Sequence, residues 1–296
     1  MSKAMLIINP SSGKADALSH EAPAIKVLQE LYDNVTIRYT EKAGDAKDLA
    51  QQACEQRFDA LVTLGGDGTV NESVNGLAEQ PHQPAFGFLP LGTVNDFARA
   101  LQLPLDPSEA IEVIRQQHTI PVDIGKVDRT YFMNVLAIGA IAEAVYDVSP
   151  EQKSAFGPLA YVLEGTKAFR HHTPFALTLE HDQGVWEGDA YLALVALTNS
   201  VGGIESLAPQ AKVHDGCFHV FIVKRLGLTN IAQMIPELLQ GSLSHHEDIE
   251  YFATATLRAS TAERHIFNID GDEGRPLPFD AAVLPHELRI FVPPDR

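Results

Sequence analysis

The chain has 296 residues, of which 45% are hydrophobic and 21% charged, a composition typical of a globular protein with one large or two medium domains. Its 22 basic and 39 acidic residues give a formal net charge of −17, which argues against non-specific nucleic-acid binding because phosphates would be repelled. Two cysteines, Cys54 and Cys217, stand far apart, which argues against a disulfide framework and against a zinc knuckle.

Apolar stretches are short throughout the sequence. The run in MSKAMLIINPSSGK spans about five residues, too few for the apolar core of a signal peptide. No stretch approaches the roughly 20 apolar residues that a membrane-spanning helix needs. We therefore expect a cytoplasmic protein without a transmembrane segment, whose contact with a membrane would be peripheral.

Strand and helix patterns alternate through residues 1–125. Predicted strands cover residues 5–10, 34–40, 60–64 and 85–91, and predicted helices cover residues 21–32, 45–56, 70–79 and 94–101. Such alternation is typical of a parallel sheet covered by helices. Ligands of these sheets bind at the carboxyl ends of the strands, so the loops there are the first place to look for a site.

Strand patterns dominate residues 126–296. They occur within 126–139, 175–197, 217–226, 251–260, 264–271 and 287–293, while only 154–170 and 228–240 have helical spacing. Asp-Gly and Gln-Gly turns separate several of these strands, as in antiparallel sheets. The sequence therefore predicts an α/β domain followed by an antiparallel, β-sandwich-like domain. The last strand could return to either domain.

Three glycine-containing loops follow predicted strands of the first domain: NPSSGK (9–14), GGDGTVNE (65–72) and PLGTVNDFAR (90–99). Glycine lets the backbone approach a ligand closely, and amides at a strand-to-helix turn can face an anion. Each loop also has a simpler explanation, since glycine and an N-cap Asp or Thr turn the chain. A carboxylate between glycines would repel phosphate unless a metal ion intervenes, and Mg²⁺ binds carboxylate and phosphate oxygens together. The second loop therefore predicts a magnesium-bound nucleotide.

The three loops together resemble the catalytic domain of the diacylglycerol kinase family, in the form found in bacterial lipid kinases. The GGDGT element alone is shared with NAD kinases, with 6-phosphofructokinases (as GGDGS), and with sphingosine and ceramide kinases, so the combination is the more specific signal. Residues 198–223, with a double glycine and an Asp-Gly turn, and residues 267–274, FNIDGDEG, resemble later elements of the same family. The resemblance covers nearly the whole chain.

The resemblance implies which residues bind ATP. They are Asn9, Pro10, Ser11, Ser12, Gly13, Thr40, Gly66, Asp67, Gly68, Thr69, Val70, Asn71, Glu72 and Thr93. Asp67 would lie near the catalytic Mg²⁺ and the phosphates. Asp96 would belong to an acidic network with Asp123 and Asp215.

The resemblance also implies a structural Mg²⁺ and a catalytic base in the second domain. The Asp215 carboxylate would bind this ion together with the backbone carbonyls of Lys212 and Cys217. The family takes its base from a DGE element, and alignment on Asp-Gly places Asp272 there. Glu273 would be the base if the turn held one more residue, and the segment can also be read as an exposed hairpin turn.

The expected function is transfer of the γ-phosphoryl group of ATP to a lipid hydroxyl, with diacylglycerol as the first choice of acceptor and Mg²⁺ as the metal ion. The alternatives are a kinase of phosphatidylglycerol or a sphingosine-like lipid, an NAD kinase, and a nucleotide- or lipid-sensing module without activity. The lipid would be met at the inner face of the cell membrane. A homodimer is an expectation that comes from the bacterial family alone.

Overall fold

The computed structural model describes residues 1–12, 17–139, 173–225 and 227–294. They divide into two compact units, one of Met1–Ile124 with Pro285–Arg296 and one of Gly125–Leu284. Within the described ranges, no helix combines the length and the apolar composition that a membrane span requires. The predicted helix over 154–170 lies outside the described residues.

Strands and helices alternate along the first unit. They are β1 (Lys3–Ile8), α1 (Glu21–Leu31), β2 (Asn34–Tyr39), α2 (Asp45–Glu55), β3 (Ala60–Gly65), α3 (Asp67–Leu77), β4 (Ala85–Pro90), α4 (Asp96–Ala100) and α5 (Pro107–Arg115). The strands pair in parallel in the order β2-β1-β3-β4. This arrangement confirms the predicted α/β fold. The one notable shift in bounds is α3, which begins inside the GGDGT loop and not after it.

The inner strands β1 and β3 are almost wholly buried. Helices cover both faces of a parallel sheet, so its inner strands carry apolar residues at successive positions and not at alternate ones. Val27 and Leu28 of α1 and Ile111 and Ile114 of α5 share a core cluster with these strands. Helices α2 and α3 also pack closely, because a Cβ on Gly76 would lie 2.3 Å from the carbonyl oxygen of Lys47.

Helix α5 was not among the predicted elements. Its N-cap residue Asp106 accepts hydrogen bonds from the amides of Ser108 and Glu109, at 2.9 and 3.2 Å, and Pro107 occupies its first turn. Both signals can be read in the sequence. The helix has only nine residues, which make too few turns for apolar spacing alone to identify it.

The second unit is built mainly from antiparallel strands. Its elements are β5 (Thr119–Val127), which begins in the first unit, β6 (Thr130–Phe132), β7 (Val135–Gly139), β8 (Phe175–His181), β9 (Gly184–Ala190), β10 (Leu192–Ala196), β11 (Phe218–Val223), α6 (Leu228–Gln240), β12 (Ile249–Thr254), β13 (Thr256–Ser260), β14 (Ile266–Ile269), β15 (Asp272–Pro276) and β16 (Phe279–Phe291). One sheet has the order β12-β11-β10-β7-β14-β15. In the other, β9, β8, β13 and the start of β16 are neighbours.

The two sheets of the second unit share one apolar core. Leu177 and Leu179 on β8 belong to the same buried cluster as Val195 on β10 and Val220 on β11. Alternate residues of each strand point into this core, as expected when two sheets pack face to face. The predicted β-sandwich-like fold is therefore confirmed, and so is the predicted helix over 228–240.

The last strand is longer than predicted. β16 runs from Phe279 to Phe291, whereas the sequence pattern indicated only residues 287–293. Its first residues pair with β13, with Thr256 opposite Ala282. Near its end, Ile290 pairs in parallel with Phe86 of β4. The strand thus contributes its beginning to the second unit and its end to the first.

Candidate active site

The loops after β1, β3 and β4 lie side by side at the carboxyl edge of the parallel sheet. The amide of Asn9 donates to the carbonyl of Leu64 over 2.9 Å, and the amide of Leu91 donates to that of Gly65 over 3.0 Å. Each loop therefore begins by continuing the hydrogen bonding of the sheet. Parallel strands all end at the same edge, which is why three distant segments of sequence become neighbours.

Side-chain hydrogen bonds join the first loop to the start of α3. The Asn9 amide group donates to the Thr69 hydroxyl over 2.9 Å, and its carbonyl oxygen accepts from the Ser11 hydroxyl over 2.7 Å. The backbone amide of Gly66 donates to the Ser12 hydroxyl over 3.3 Å. These contacts bring five predicted nucleotide-binding residues together around one helix start. Pro10 follows Asn9 and is half-buried, and Gly13 lies outside the described residues.

In the described part of the chain, the N-cap residue of α3 provides no side-chain hydrogen bond to the backbone amides of the first turn. This residue, Gly66, is extended, with φ −85° and ψ −176°. The first amides of a helix have no partner within the helix, and the helix dipole makes this end attractive to anions. Gly68 leaves open space beside it, since a Cβ there would meet no atom of the described chain within 4 Å. A phosphate group could therefore approach this turn.

Asn95 joins the third loop to Asp67. It has a left-handed backbone, with φ +57°, and its side chain exchanges two hydrogen bonds with the backbone of Gly92, at 2.8 and 3.0 Å. Its backbone amide donates to Asp67 Oδ2 over 3.0 Å. Asn95 was not predicted as a site residue, although its neighbours Thr93 and Asp96 were. An asparagine directly before a helix was the signal that could have identified it.

The Asp67 carboxyl group has a raised pKa. Burial is the main cause, the amide of Asn95 opposes it, and the negative charge of Asp96 adds to it. A buried carboxylate near a second one is stabilised by a cation, because the cation offsets both the lost hydration and the repulsion. The predicted place of Asp67 beside a metal ion and phosphates agrees with this environment, and its catalytic role stays a prediction.

Glu72 has a structural role in addition to the predicted contact with ATP. Its two carboxylate oxygens accept from the amides of Gly44, at 2.9 Å, and Ala46, at 3.2 Å. These amides belong to the start of α2, so Glu72 caps that helix from α3. Among the other predicted ATP-binding residues, Val70 is only 2% exposed and its amide donates to the carbonyl of Gly66 over 3.1 Å, so its contact with ATP stays a prediction. Asn71 is half-buried, and Thr93 is exposed.

Thr40 and Asp123 complete the predicted site residues of the first unit. Thr40 follows β2 at the same sheet edge, where its amide donates to the carbonyl of Ile8 over 2.9 Å. Asp123 is 4% exposed and accepts a hydrogen bond from the amide of His286 over 2.6 Å. Asp96 lies beside Asp67, as the pKa of Asp67 reflects. The acidic network with Asp215 stays a prediction, because Asp215 belongs to the other unit.

Asp215 closes the Asp-Gly turn of the second unit. Its carboxylate accepts from the amides of Lys212, at 2.7 Å, and Cys217, at 3.1 Å, and from His219 Nε2, at 3.1 Å. Burial raises the pKa of Asp215, but the hydrogen bonds from His219, Lys212 and Cys217 outweigh it and hold the pKa below its usual range. The group is therefore a firmly ionised carboxylate, the form that a cation binds.

The Asp215 carboxylate is contacted by the backbone amides of Lys212 and Cys217. The predicted metal ligands were the carbonyls of these two residues. The carbonyl of Lys212 accepts a long hydrogen bond, 3.3 Å, from the Asp215 amide. In the described ranges, no group of three or more His, Cys, Asp or Glu side chains is placed to hold a metal ion. Mg²⁺ commonly needs only one or two carboxylates, since it keeps several waters. Metal binding by Asp215 with the two carbonyls stays a prediction.

The DGDEG segment forms a two-residue hairpin between β14 and β15. Asp270 and Gly271 have φ +49° and +96°, and both central residues of a type I′ turn require positive φ. The Asp270 carboxylate accepts from three successive amides, those of Met133, Asn134 and Val135, at 2.8 to 3.0 Å. Asp270 therefore attaches the hairpin to the start of β7, a structural role that sequence reasoning did not assign.

The two candidate bases lie on opposite faces of β15. Asp272 pairs with Ile269, which belongs to the core, and Glu273 pairs with Asn268. Successive strand residues point to opposite faces, so only one of the two acids can serve a given ligand. Asn268 is 4% exposed; its carbonyl oxygen accepts from the Gly271 amide over 2.9 Å, and its Nδ2 atom has no partner in the described part of the chain. The choice between Asp272 and Glu273 stays open.

Two family models match the chain, and together they span most of it. Residues 3–127 match the diacylglycerol kinase catalytic domain, and residues 135–292 match the YegS C-terminal NAD kinase beta sandwich-like domain. The first match contains the three loops at the sheet edge. The second contains the Asp215 turn and the hairpin with Asp272 and Glu273.

Relatives and solved structures agree with these matches. A diacylglycerol kinase of Staphylococcus saprophyticus is 37% identical over 294 residues, covering 99% of this chain and 96% of the relative. One of Staphylococcus epidermidis is 38% identical, covering 99% and 93%. A crystal structure described as a diacylglycerol kinase of Bacillus anthracis has a TM-score of 0.84 at 28% identity, covering 99% of this chain and 98% of that one. With its loops, its two-unit fold and these likenesses, the chain belongs to the diacylglycerol kinase family.

Proposed function

We propose that the protein transfers the γ-phosphoryl group of ATP to the free hydroxyl of diacylglycerol, forming phosphatidic acid. ATP as phosphate donor follows from the kinase family, and the acceptor follows from relatives named diacylglycerol kinase. The observation that carries the proposal is the start of α3 beside Asp67, where the loops after β1 and β4 also meet. Positioning and charge stabilisation are what phosphoryl transfer asks of a protein.

The backbone and hydroxyl groups of the sheet edge would hold the triphosphate. Amides of the first turn of α3, those of Gly68 and Thr69, would face a phosphate group in the open space beside Gly68. Hydroxyls of Ser12 and Thr93 would extend the same set of donors, and Asn9, Ser11 and Thr40 would border it. Such a site binds phosphate through several uncharged amide and hydroxyl donors, which suits a group that must be released after each turnover.

Asp67 fits a place beside Mg²⁺, because a cation offsets the burial and the nearby Asp96 charge that raise its pKa. The residue would hold the metal ion against the phosphate oxygens. A Mg²⁺ ion held there would supply positive charge against the negative charge of the transferred phosphoryl group. Asp96, with Asp123 and Asp215 as proposed partners, would keep the surrounding field negative and favour a divalent cation.

A carboxylate of the second unit would take the proton of the acceptor hydroxyl. Asp272 is the first choice because it follows Asp270 and Gly271 directly, as the base follows Asp-Gly in the family. Glu273, on the other face of β15, is the alternative. Either side chain is exposed and able to reach a ligand. We further propose peripheral contact with the membrane that holds the lipid, and the homodimer that the family resemblance implies.

Labelled ATP tests the acceptor directly. Purified protein would be given diacylglycerol, phosphatidylglycerol, sphingosine and NAD in parallel, each with Mg²⁺. Labelled phosphatidic acid is the expected product. Labelled NADP alone would favour the NAD kinase alternative and overturn the proposal. ATP binding without transfer to any acceptor would favour a sensing module.

A further inference from the structure

Three side chains of the second unit form a hydrogen-bonded chain that ends at Asp215. The Tyr251 hydroxyl lies 2.8 Å from His219 Nδ1, and His219 Nε2 lies 3.1 Å from Asp215 Oδ2. His219 is 5% exposed and lies on β11, while Tyr251 lies on the neighbouring strand β12. Sequence reasoning singled out neither His219 nor Tyr251.

The partners determine which nitrogen of His219 carries the proton. An ionised carboxylate only accepts hydrogen bonds, so the His219 nitrogen facing Asp215 must be the donor. In the neutral ring the other nitrogen is then an acceptor, and the Tyr251 hydroxyl can donate to it. All three groups are satisfied at once, so the imidazole is held from both sides in one orientation.

Hydrogen bonds from His219 and from two backbone amides restrict the Asp215 carboxylate to one orientation. Oδ2 accepts from the Lys212 amide, at 2.7 Å, and from His219, whereas Oδ1 accepts from the Cys217 amide at 3.1 Å. A carboxylate offers about four lone-pair sites. Three donors therefore leave acceptor capacity on the Oδ1 side, where a hard cation could bind.

We propose that His219, held in place by Tyr251, is a positioning residue that orients the Asp215 carboxylate for a divalent cation at the Asp-Gly turn. The inference rests on the proposed function only through the cation site implied at that turn. Groups that orient a metal ligand from behind contribute strongly to affinity, and their loss costs about 10- to 100-fold in metal binding. His219 and Tyr251 occupy that place for Asp215.

The test is a titration of the full-length protein with Mg²⁺ alone, without nucleotide or lipid. Calorimetry gives the Kd and a thermal shift gives the stabilisation, and Asp215→Asn identifies the part of the binding that depends on this turn. His219→Phe keeps a ring but removes the donor, and we expect it to raise the Kd about tenfold or more. Tyr251→Phe removes only the hydroxyl and should raise the Kd less. His219→Gln keeps an N–H donor and should restore most of the affinity.

Two results would overturn the inference. One is an Asp215-dependent Kd that is the same in the wild type, His219→Phe and Tyr251→Phe. The other is that Asp215→Asn removes none of the Mg²⁺ binding seen in the wild-type protein. If His219→Phe fails to fold, Tyr251→Phe and His219→Gln still decide. Because the assay contains neither ATP nor lipid, a failure of the proposed kinase activity would leave this result unchanged, and the two failures can be told apart.

Discussion

At the scale of single residues, Asp67 combines a predicted catalytic role with an unfavourable environment. Its pKa is raised by burial and by Asp96, so the folded chain holds this proton at a higher pH than the unfolded chain does. The sign of the effect on stability follows from proton linkage. The contribution of Asp67 is greatest at low pH and is lost as the pH rises through the folded-state pKa.

We therefore expect Asp67→Asn to be more stable than the wild type near neutral pH. The advantage should shrink as the pH falls and the wild-type carboxyl group takes up its proton. Kinase activity should fall about a hundredfold or more, because the variant loses the charge that we propose to face the metal ion and phosphates. Thermal unfolding without ligands between pH 4.5 and 8, together with kcat/KM for ATP, measures both. A variant less stable than the wild type at pH 7.5 would contradict this reading.

The identity of the general base, Asp272 or Glu273, also depends on single residues. Removal of a general base commonly costs 10²- to 10⁴-fold in rate, so we expect about this loss for Asp272→Asn and a small effect for Glu273→Gln. The two residues are matched controls for each other, since both are exposed and adjacent but point to opposite faces of β15. Turnover at saturating ATP and diacylglycerol is the measurement. The reverse result would show that Glu273 is the base.

At the scale of elements, the loops after β3 and β4 touch through their backbones. A Cβ on Gly92 would lie 2.6 Å from Asn95 Oδ1 and 2.8 Å from Asp67 Oδ2, and a Cβ on Gly66 would lie 3.2 Å from the Gly92 Cα. The glycines are therefore needed first for packing between loops. Close approach to phosphate is a second use that the same geometry permits.

Gly92→Ala should consequently lower both the stability and the affinity for ATP, because Asp67 or Asn95 must move. We expect a loss of about 1–3 kcal/mol in the free energy of unfolding, as for other overpacked sites. The matched control for stability is Gly68→Ala. Its Cβ would meet no atom of the described residues within 4 Å, and the helix gains up to about 1 kcal/mol. Urea unfolding of both variants is the measurement, and equal stabilities would show that the third loop yields without cost.

At the scale of the whole molecule, the net charge of −17 opposes approach to an anionic membrane. We expect diacylglycerol in neutral vesicles to be phosphorylated faster at low salt than diacylglycerol in phosphatidylglycerol-rich vesicles. The difference should shrink as salt is raised, since the Debye length falls to about 8 Å at physiological ionic strength. Vesicle co-sedimentation and initial rates at several salt concentrations measure it. Faster phosphorylation in anionic vesicles at low salt would indicate a local basic surface that overrides the net charge.

Much of the architecture was readable from hydrophobic periodicity. The alternation of strands and helices in the first unit and the strand-rich second unit were predicted, because buried faces impose a period of 3.6 or 2 on the sequence. The bounds of β16 were harder to predict. Its first half pairs with β13 and its end with β4, so its length depends on partners far away in sequence.

The sequence by itself determined the fold class, the family and the set of acids and glycines from which a kinase site would be built. Only the tertiary structure decided what each of these residues touches. Asp270 looked like one acid among several, yet three amides of another segment surround it. Glu72 caps α2, Asn95 holds Asp67, and His219 supports Asp215. The physical reason is that hydrogen bonds form between segments that the chain brings together only on folding, and local spacing carries no record of them.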